Sequence, residues 1–194
     1  MKFYYSPGAC SLASHIALVE GGIEHEAVKV DLAAHRTADG SDFYSISPRG
    51  YVPAIETDEF GLLTENPAVL TYLAERMHGL PSGEPLYRLL EWVGFVGTEI
   101  HGGYHPLFGR DTEDRQAKAM ETLARKYRLT AELMDGRDWL VGDSPTVADN
   151  YLFVTLLWAG KFGVELPDEM EAFRKRNLAR PAAQEAMKRE GLLR

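Results

Sequence analysis

The sequence predicts a mixed α/β domain joined to an all-helical one. Three observations carry this. Strand-like and helix-like segments alternate over residues 1–77. A stretch from His78 to Gly83, holding Gly79, Pro81 and Gly83, then breaks the pattern. Beyond it only helical periodicity remains. The expected organisation is a first domain over residues 1–77, a linker over 78–83 and a helical domain over 84–194.

The first domain opens with a strand (Lys2 to Tyr5), a tight turn (Ser6-Pro7-Gly8-Ala9) and a helix starting near Cys10. Leu12, Ala13, Ile16 and Ala17 fall on one face of that helix. Cys10, the only cysteine, is thus expected in a first helical turn, where free N–H groups and the positive dipole end gather. Such a position lowers a thiol pKa and stabilises a neighbouring thiolate. Strand, turn and helix with sulfur at the helix start suggest a thioredoxin-like domain.

Gly21-Gly22 stops this helix. His25 to Val30 reads as a second strand, with Glu26, Val28 and Val30 on one side. Residues 31–46 are polar and mixed, so an irregular segment is expected, with a short helix near Ser41 to Ile46. Ser47-Pro48-Arg49-Gly50 has the residue types of a β-turn. A strand follows, beginning at or after Pro53, where a missing N–H costs the ladder least. Phe60 to Leu63 pairs back onto it through Asp58-Glu59. Asn66 is the expected N-cap of the next helix and Pro67 its first residue. Val69, Leu70, Leu73 and Met77 give its buried face.

In the second domain, Leu86, Leu89, Leu90, Val93, Val96, Gly97 and Ile100 mark one long amphipathic helix. A second runs from about Thr112 to Met134 with a charged outer face. Thr146-Val147-Ala148-Asp149 is a capping box with Asp in place of Glu. The helix behind it carries Tyr151, Leu152, Val154, Thr155 and Trp158. Two shorter helices follow, separated near Arg180-Pro181.

Composition narrows the function. A net charge of −8 argues against nucleic acid or an anionic membrane as partner. No apolar run is long enough to span a bilayer, and the N-terminal residues lack a secretory signal pattern. A single cysteine cannot form an internal disulfide, which fits a reducing cytoplasm.

Several residues are candidates for chemistry. Cys10 has no second cysteine three residues away, so a redox role needs an external thiol; the commoner role is a buried structural cysteine. Tyr5 and Ser11 lie near Cys10 and are candidates for holding a thiolate, against the plainer roles of core residue and helix start. Val52-Pro53 is either an ordinary trans bond or a cis bond that turns the Val52 backbone toward a bound peptide. Glu65-Asn66, at a helix N-terminus, offers a zwitterion site: amides for a carboxylate and Glu65 for an ammonium. An amino-acid-like group such as the γ-glutamyl end of glutathione fits both halves. Gly94, Gly97 and His101 share a face, leaving space beside the imidazole. His101 and His105 have metal-ligand spacing, but the glutamate of a zinc-hydrolase motif is missing and no third ligand is evident, so no metal is expected.

These segments together carry a resemblance. YYSPGACSLASHIAL, VKVDL, SPRGYVPAI, LLTENPAVLTYLAE, TEIHGGYHPLF and WLVGDSPTVADNYLF look like those of a bacterial beta-class glutathione transferase. The resemblance implies a thioredoxin-like N-terminal domain, an all-α C-terminal domain and a homodimer. It implies that Cys10 lies beside the glutathione sulfur and can form a mixed disulfide with it. Val52, with Pro53 cis, would hold the cysteinyl backbone, and Glu65 and Asn66 the γ-glutamyl group. Thr98, Glu99 and His101 would line the site from the helical domain. Tyr104, Phe108 and Trp158 would form the apolar wall for the second substrate. His35 stands where the family often has a lysine that meets the glycyl carboxylate. Gly94 stands for a frequent asparagine, and Asn66 for serine or glycine. The expected activity is conjugation of the glutathione thiolate to hydrophobic electrophiles, with Cys10, Ser11, His101 and Tyr5 as catalytic candidates. The alternatives are a glutathione-dependent thiol-disulfide reductase using Cys10 and a non-catalytic carrier of apolar ligands.

Overall fold

The computed structural model describes residues 1–59, 61–109 and 111–193. Phe60, expected at the start of a strand, lies outside the described residues. Contacts group Met1–Leu80 with Arg180–Arg194 as one unit and Pro81–Ala179 as another. This differs from a helical domain running over 84–194: the final segment packs in the first unit.

Among the described residues the first unit holds five strands: β1 (Lys2–Tyr5), β2 (Glu26–Asp31), β3 (Arg36–Thr37), β4 (Ala54–Thr57) and β5 (Gly61–Thr64). Their order in the sheet is β3-β2-β1-β4-β5. β1 runs parallel to β2 and antiparallel to β4, with Phe3 opposite Ala27 and Ile55. β5 pairs antiparallel to β4, with Leu63 opposite Ile55, through the turn expected at Asp58-Glu59. β3 falls in the stretch expected to be irregular. Two residues form it, too few to show alternation, and tertiary pairing of Val30 with Thr37 creates it.

Before residue 80 the helices are α1 (Ser11–Glu20), α2 (Phe43–Ile46) and α3 (Asn66–His78). The rest of the chain forms α4 (Glu84–Phe95), α5 (His105–Phe108), α6 (Glu113–Met134), α7 (Val147–Phe162), α8 (Asp168–Leu178) and α9 (Pro181–Arg189). Successive side chains of β1 point to opposite faces of the sheet. Tyr4 packs with Val30, Phe43, Val52 and Ala54 on one. Phe3 meets His15 of α1 on the other. α1 is buried continuously from Ser11 to Leu18, not only along its apolar stripe, because α3 and α9 flank it.

In the second unit, α4 buries Leu89, Trp92 and Val93, whereas Leu90 is 41% exposed. The long helix expected through Ile100 changes pitch: Val96–His101 is a π-helical turn and Gly102–Tyr104 a 3₁₀ turn. α6 begins where expected, capped by Thr112. At the start of α7 the buried Asp149 accepts the Thr146 N–H at 2.7 Å and the Leu140 N–H at 2.9 Å. Among the described residues no helix is long and apolar enough to cross a membrane.

Candidate active site

The Cys10 site is built on the turn between β1 and α1. Ala9 N–H closes the turn on the Ser6 carbonyl at 3.0 Å. Ser6 N–H donates to Ser11 Oγ at 3.2 Å, and the Ser11 hydroxyl donates back to Ser6 O at 3.4 Å. The Ser11 side chain is therefore spent on the turn, and its backbone N–H is what it offers the sulfur. Cys10 is the N-cap of α1, which starts at Ser11, near Cys10 as expected.

The Cys10 thiol donates to the Val52 carbonyl at 3.2 Å. The Val52-Pro53 bond is cis. Cys10 is half-buried, and desolvation pushes its thiol up to about 12. The N–H groups of Cys10 and Ser11 act against this, and the Glu65 carboxylate adds to it. The expectation of a lowered pKa is therefore corrected. The helix-start amides do favour the thiolate, but loss of water outweighs them.

Glu65 is the N-cap of α3 and sits at φ 72°, ψ 118°, rare for a residue with a side chain. Its carboxylate accepts from Arg49 Nη1 at 2.5 Å. Asn66 does not cap the helix as expected. Its carboxamide bridges to α1 instead: Nδ2 donates to Cys10 O at 3.3 Å, and Oδ1 accepts from Ser14 Oγ at 3.2 Å. Asn66 thereby fixes the start of α3 against the start of α1.

His35 stacks on Tyr44 with ring centroids 4.4 Å apart, and its Nε2 lies 3.1 Å from the Tyr44 hydroxyl. Its buried Nδ1 has no hydrogen-bond partner among the described residues. Gly50 lies against this pair: a Cβ there would sit 2.5 Å from the Tyr44 ring, and its φ is +68°. Tyr5 stacks on Phe3 at 5.8 Å and meets His15 at a tilt, with centroids 5.4 Å apart. Among the described residues no hydrogen bond joins it to Cys10, so the structure gives it a packing role. Burial, then Glu190, raises its pKa.

The second unit has its own cluster. The π turn turns His101 toward α7, where Nδ1 lies 2.6 Å from the Tyr151 hydroxyl. Its ring is 5.0 Å from Trp158. Burial, then His105, lowers the His101 pKa to about 4, so the ring is neutral at physiological pH. Phe108 is 48% exposed and packs edge-on against the buried Trp158 at 4.9 Å. Tyr104, expected on a substrate wall, is fully buried. Its hydroxyl lies 2.8 Å from that of Tyr127, and both reach the Thr155 carbonyl. Its part in an apolar wall is thus limited to supporting Phe108 and Trp158 from below. Thr98 donates to Gly94 O at 3.1 Å, and Glu99 pairs with Lys126. Among the described residues no group of three His, Cys, Asp or Glu is placed to hold a metal ion.

Residues 1–75 match the family model described as glutathione S-transferase, N-terminal domain, and residues 95–181 match the C-terminal domain model. The chain is 38% identical to glutathione S-transferase GstA of Escherichia coli O157:H7, covering 99% of this chain and 100% of that one. A sphingomonad glutathione S-transferase solved in complex with glutathione is 40% identical, with a TM-score of 0.94 over 99% of this chain and 100% of that one. A bacterial beta-class enzyme from Sphingomonas chungbukensis is 36% identical, with a TM-score of 0.94 over the whole of both chains. The chain belongs to the glutathione S-transferase family.

Within these two clusters, four supporting residues went unread in the sequence. Arg49 holds Glu65, Tyr44 holds His35, and Tyr151 holds His101. Glu190 holds Gly8 from 182 positions away. Arg49 alone had a readable hint, since it stands in the turn that leads into Val52-Pro53. The others act across tertiary contacts that no spacing rule reaches.

Proposed function

We propose that this glutathione transferase family member conjugates glutathione to apolar electrophiles at Cys10. The observation that carries this reading is the convergence on Cys10 of the Val52 carbonyl and the Asn66 carboxamide, with strained Glu65 beside it. Each part matches one part of the tripeptide. The amides that open α3 suit the α-carboxylate, because they lack helical acceptors. Glu65 suits the ammonium, in place of Arg49. The Val52 backbone suits the cysteinyl peptide group. His35 would meet the glycyl carboxylate after release from Tyr44.

The chemistry then needs a glutathione thiolate, since the thiol is a weak nucleophile. Cys10, held neutral, has one S–H, which would have to turn from Val52 O to donate to such a sulfur, whereas the N–H groups of Cys10 and Ser11 are donors toward it as they stand. The thiolate electron pair forms the new S–C bond while the electrophile's leaving group departs with its own pair. The glutathione proton passes to solvent. Phe108, backed by Trp158, offers an apolar surface suited to the electrophile. Thr98, Glu99 and His101 are assigned to glutathione by the resemblance alone, and single substitutions read against glutathione KM test them.

Calorimetry with glutathione and turnover of an aryl halide test the proposal. Expected are binding and pH-dependent conjugation. Glutathione binding without turnover at any pH would leave only a carrier role. The reductase alternative requires a Cys10 thiolate, which burial opposes. Conjugation surviving in Cys10→Ala while thiol-disulfide exchange is lost would separate the two activities. A homodimer is also proposed, supported by the exposure of Tyr51 (71%) and Tyr87 (69%), and sedimentation tests it. The cytoplasm is the proposed location, since the lone thiol is unpaired.

A further inference from the structure

Glu190 follows α9 and is only 6% exposed. Its Oε2 accepts the Gly8 N–H at 2.9 Å, and its Oε1 lies 2.9 Å from His15 Nδ1. One side chain thus grips the chain on both sides of Cys10: at the turn before it and on α1 after it. An apolar contact acts at the same turn. A Cβ on Gly8 would lie 3.5 Å from Leu192 Cδ2, so the tail also covers the turn. Gly8 holds φ +71°, which suits glycine. The His15 ring is packed among Phe3, Tyr5 and His25, and its buried Nε2 has no hydrogen-bond partner among the described residues. Nδ1 is therefore the ring's anchor, and the reach of Glu190 decides where the ring lies.

The geometry points to Glu190 as a positioning residue for the thiol site: by bridging Gly8 and His15 it holds the Ser6–Cys10 turn so that Cys10 faces the glutathione sulfur. This rests on the transferase reading given above. The role is one of reach. Aspartate keeps the carboxyl but is one methylene short of spanning both partners. Glutamine keeps the span: its carbonyl accepts the Gly8 N–H, and its amide donates to His15 Nδ1 once the ring proton moves to Nε2. That buries an unpaired N–H, so glutamine loses stability while keeping the turn in place.

Two readouts separate positioning from simple stability. One is glutathione KM and kcat in aryl halide conjugation. The other is the pH profile of Cys10 alkylation by iodoacetamide without glutathione. Glu190→Asp and Glu190→Ala should raise glutathione KM about tenfold, and Glu190→Gln should stay within about threefold of the parent. A loosened turn admits water to the sulfur, so the Asp and Ala profiles should move to lower pH and the Gln profile should not. Leu73→Ala, a core truncation in α3, should lower the thermal midpoint and leave the profile in place. If Glu190→Ala does not fold, the Asp and Gln variants carry the comparison. The inference is overturned if folded Glu190→Asp keeps the parental KM and profile, or if Gln is as impaired as Asp in both. If the Asp profile shifts while no variant, parent included, uses glutathione, the positioning role stands and the transferase reading fails.

Discussion

At Cys10 two local effects oppose each other, and burial wins. The α1 amides lower the thiol pKa, yet desolvation holds it at about 12, and the thiol donates to Val52 O. Free Cys10 should therefore alkylate slowly at pH 7, with a rate still climbing above pH 10, as mass spectrometry of iodoacetamide-treated protein would read. A plateau below pH 9 would show the amides to be the stronger effect. His101 works in the acid range. Its pKa falls from 6.5 to about 4 on folding, first through burial and then through His105. Between those values the unfolded chain binds a proton that the folded chain refuses, so stability drops as pH falls from 6.5 toward 4. The thermal midpoint of His101→Asn should accordingly fall less than the parent's between pH 7 and pH 5. An equal fall in both would remove His101 from the acid response.

At the level of elements, helix starts do much of the ordering. Asp149 is fully buried at the first turn of α7 and accepts three hydrogen bonds, two from Thr146 and one from Leu140 N–H. Asp149→Ala leaves the buried Leu140 N–H and the two half-buried Thr146 donors without this acceptor, and urea titration should show a loss of about 2–4 kcal/mol. A loss under about 0.5 kcal/mol would mean that the cap is replaced by water. This cap was legible in the sequence because Thr146 and Asp149 stand three residues apart, and such motifs act within one turn. The start of α3 was misread for the opposite reason. Asn66 has the chemistry of a cap, but its side chain finds Ser14 and Cys10 O on α1, 52 and 56 positions away. Local propensity names a residue's options, and tertiary packing chooses among them.

At the scale of the molecule, residues 180–194 return to the first unit. Arg180 donates to both oxygens of Glu20 at 2.6 Å, and both side chains are largely shielded from water. Arg180→Ala should therefore weaken the first unit selectively. Hydrogen exchange should speed up in α1 and α9 and stay unchanged in α6 and α7. Faster exchange throughout both units would show that they unfold together.

By itself the sequence determined the strand-turn-helix around Cys10, the β4–β5 hairpin, the start of α6, the α7 cap and the break between α3 and α4. Each is written in residues a few positions apart, where backbone sterics and period suffice. It also carried the family, through motifs spread along most of the chain. Only the tertiary structure decided that Cys10 is held as a thiol, that Tyr104 is buried, that β3 exists and that Glu190 grips the Cys10 turn. Those outcomes depend on water exclusion and on hydrogen bonds between residues far apart in the chain, and such energies arise only once the elements pack.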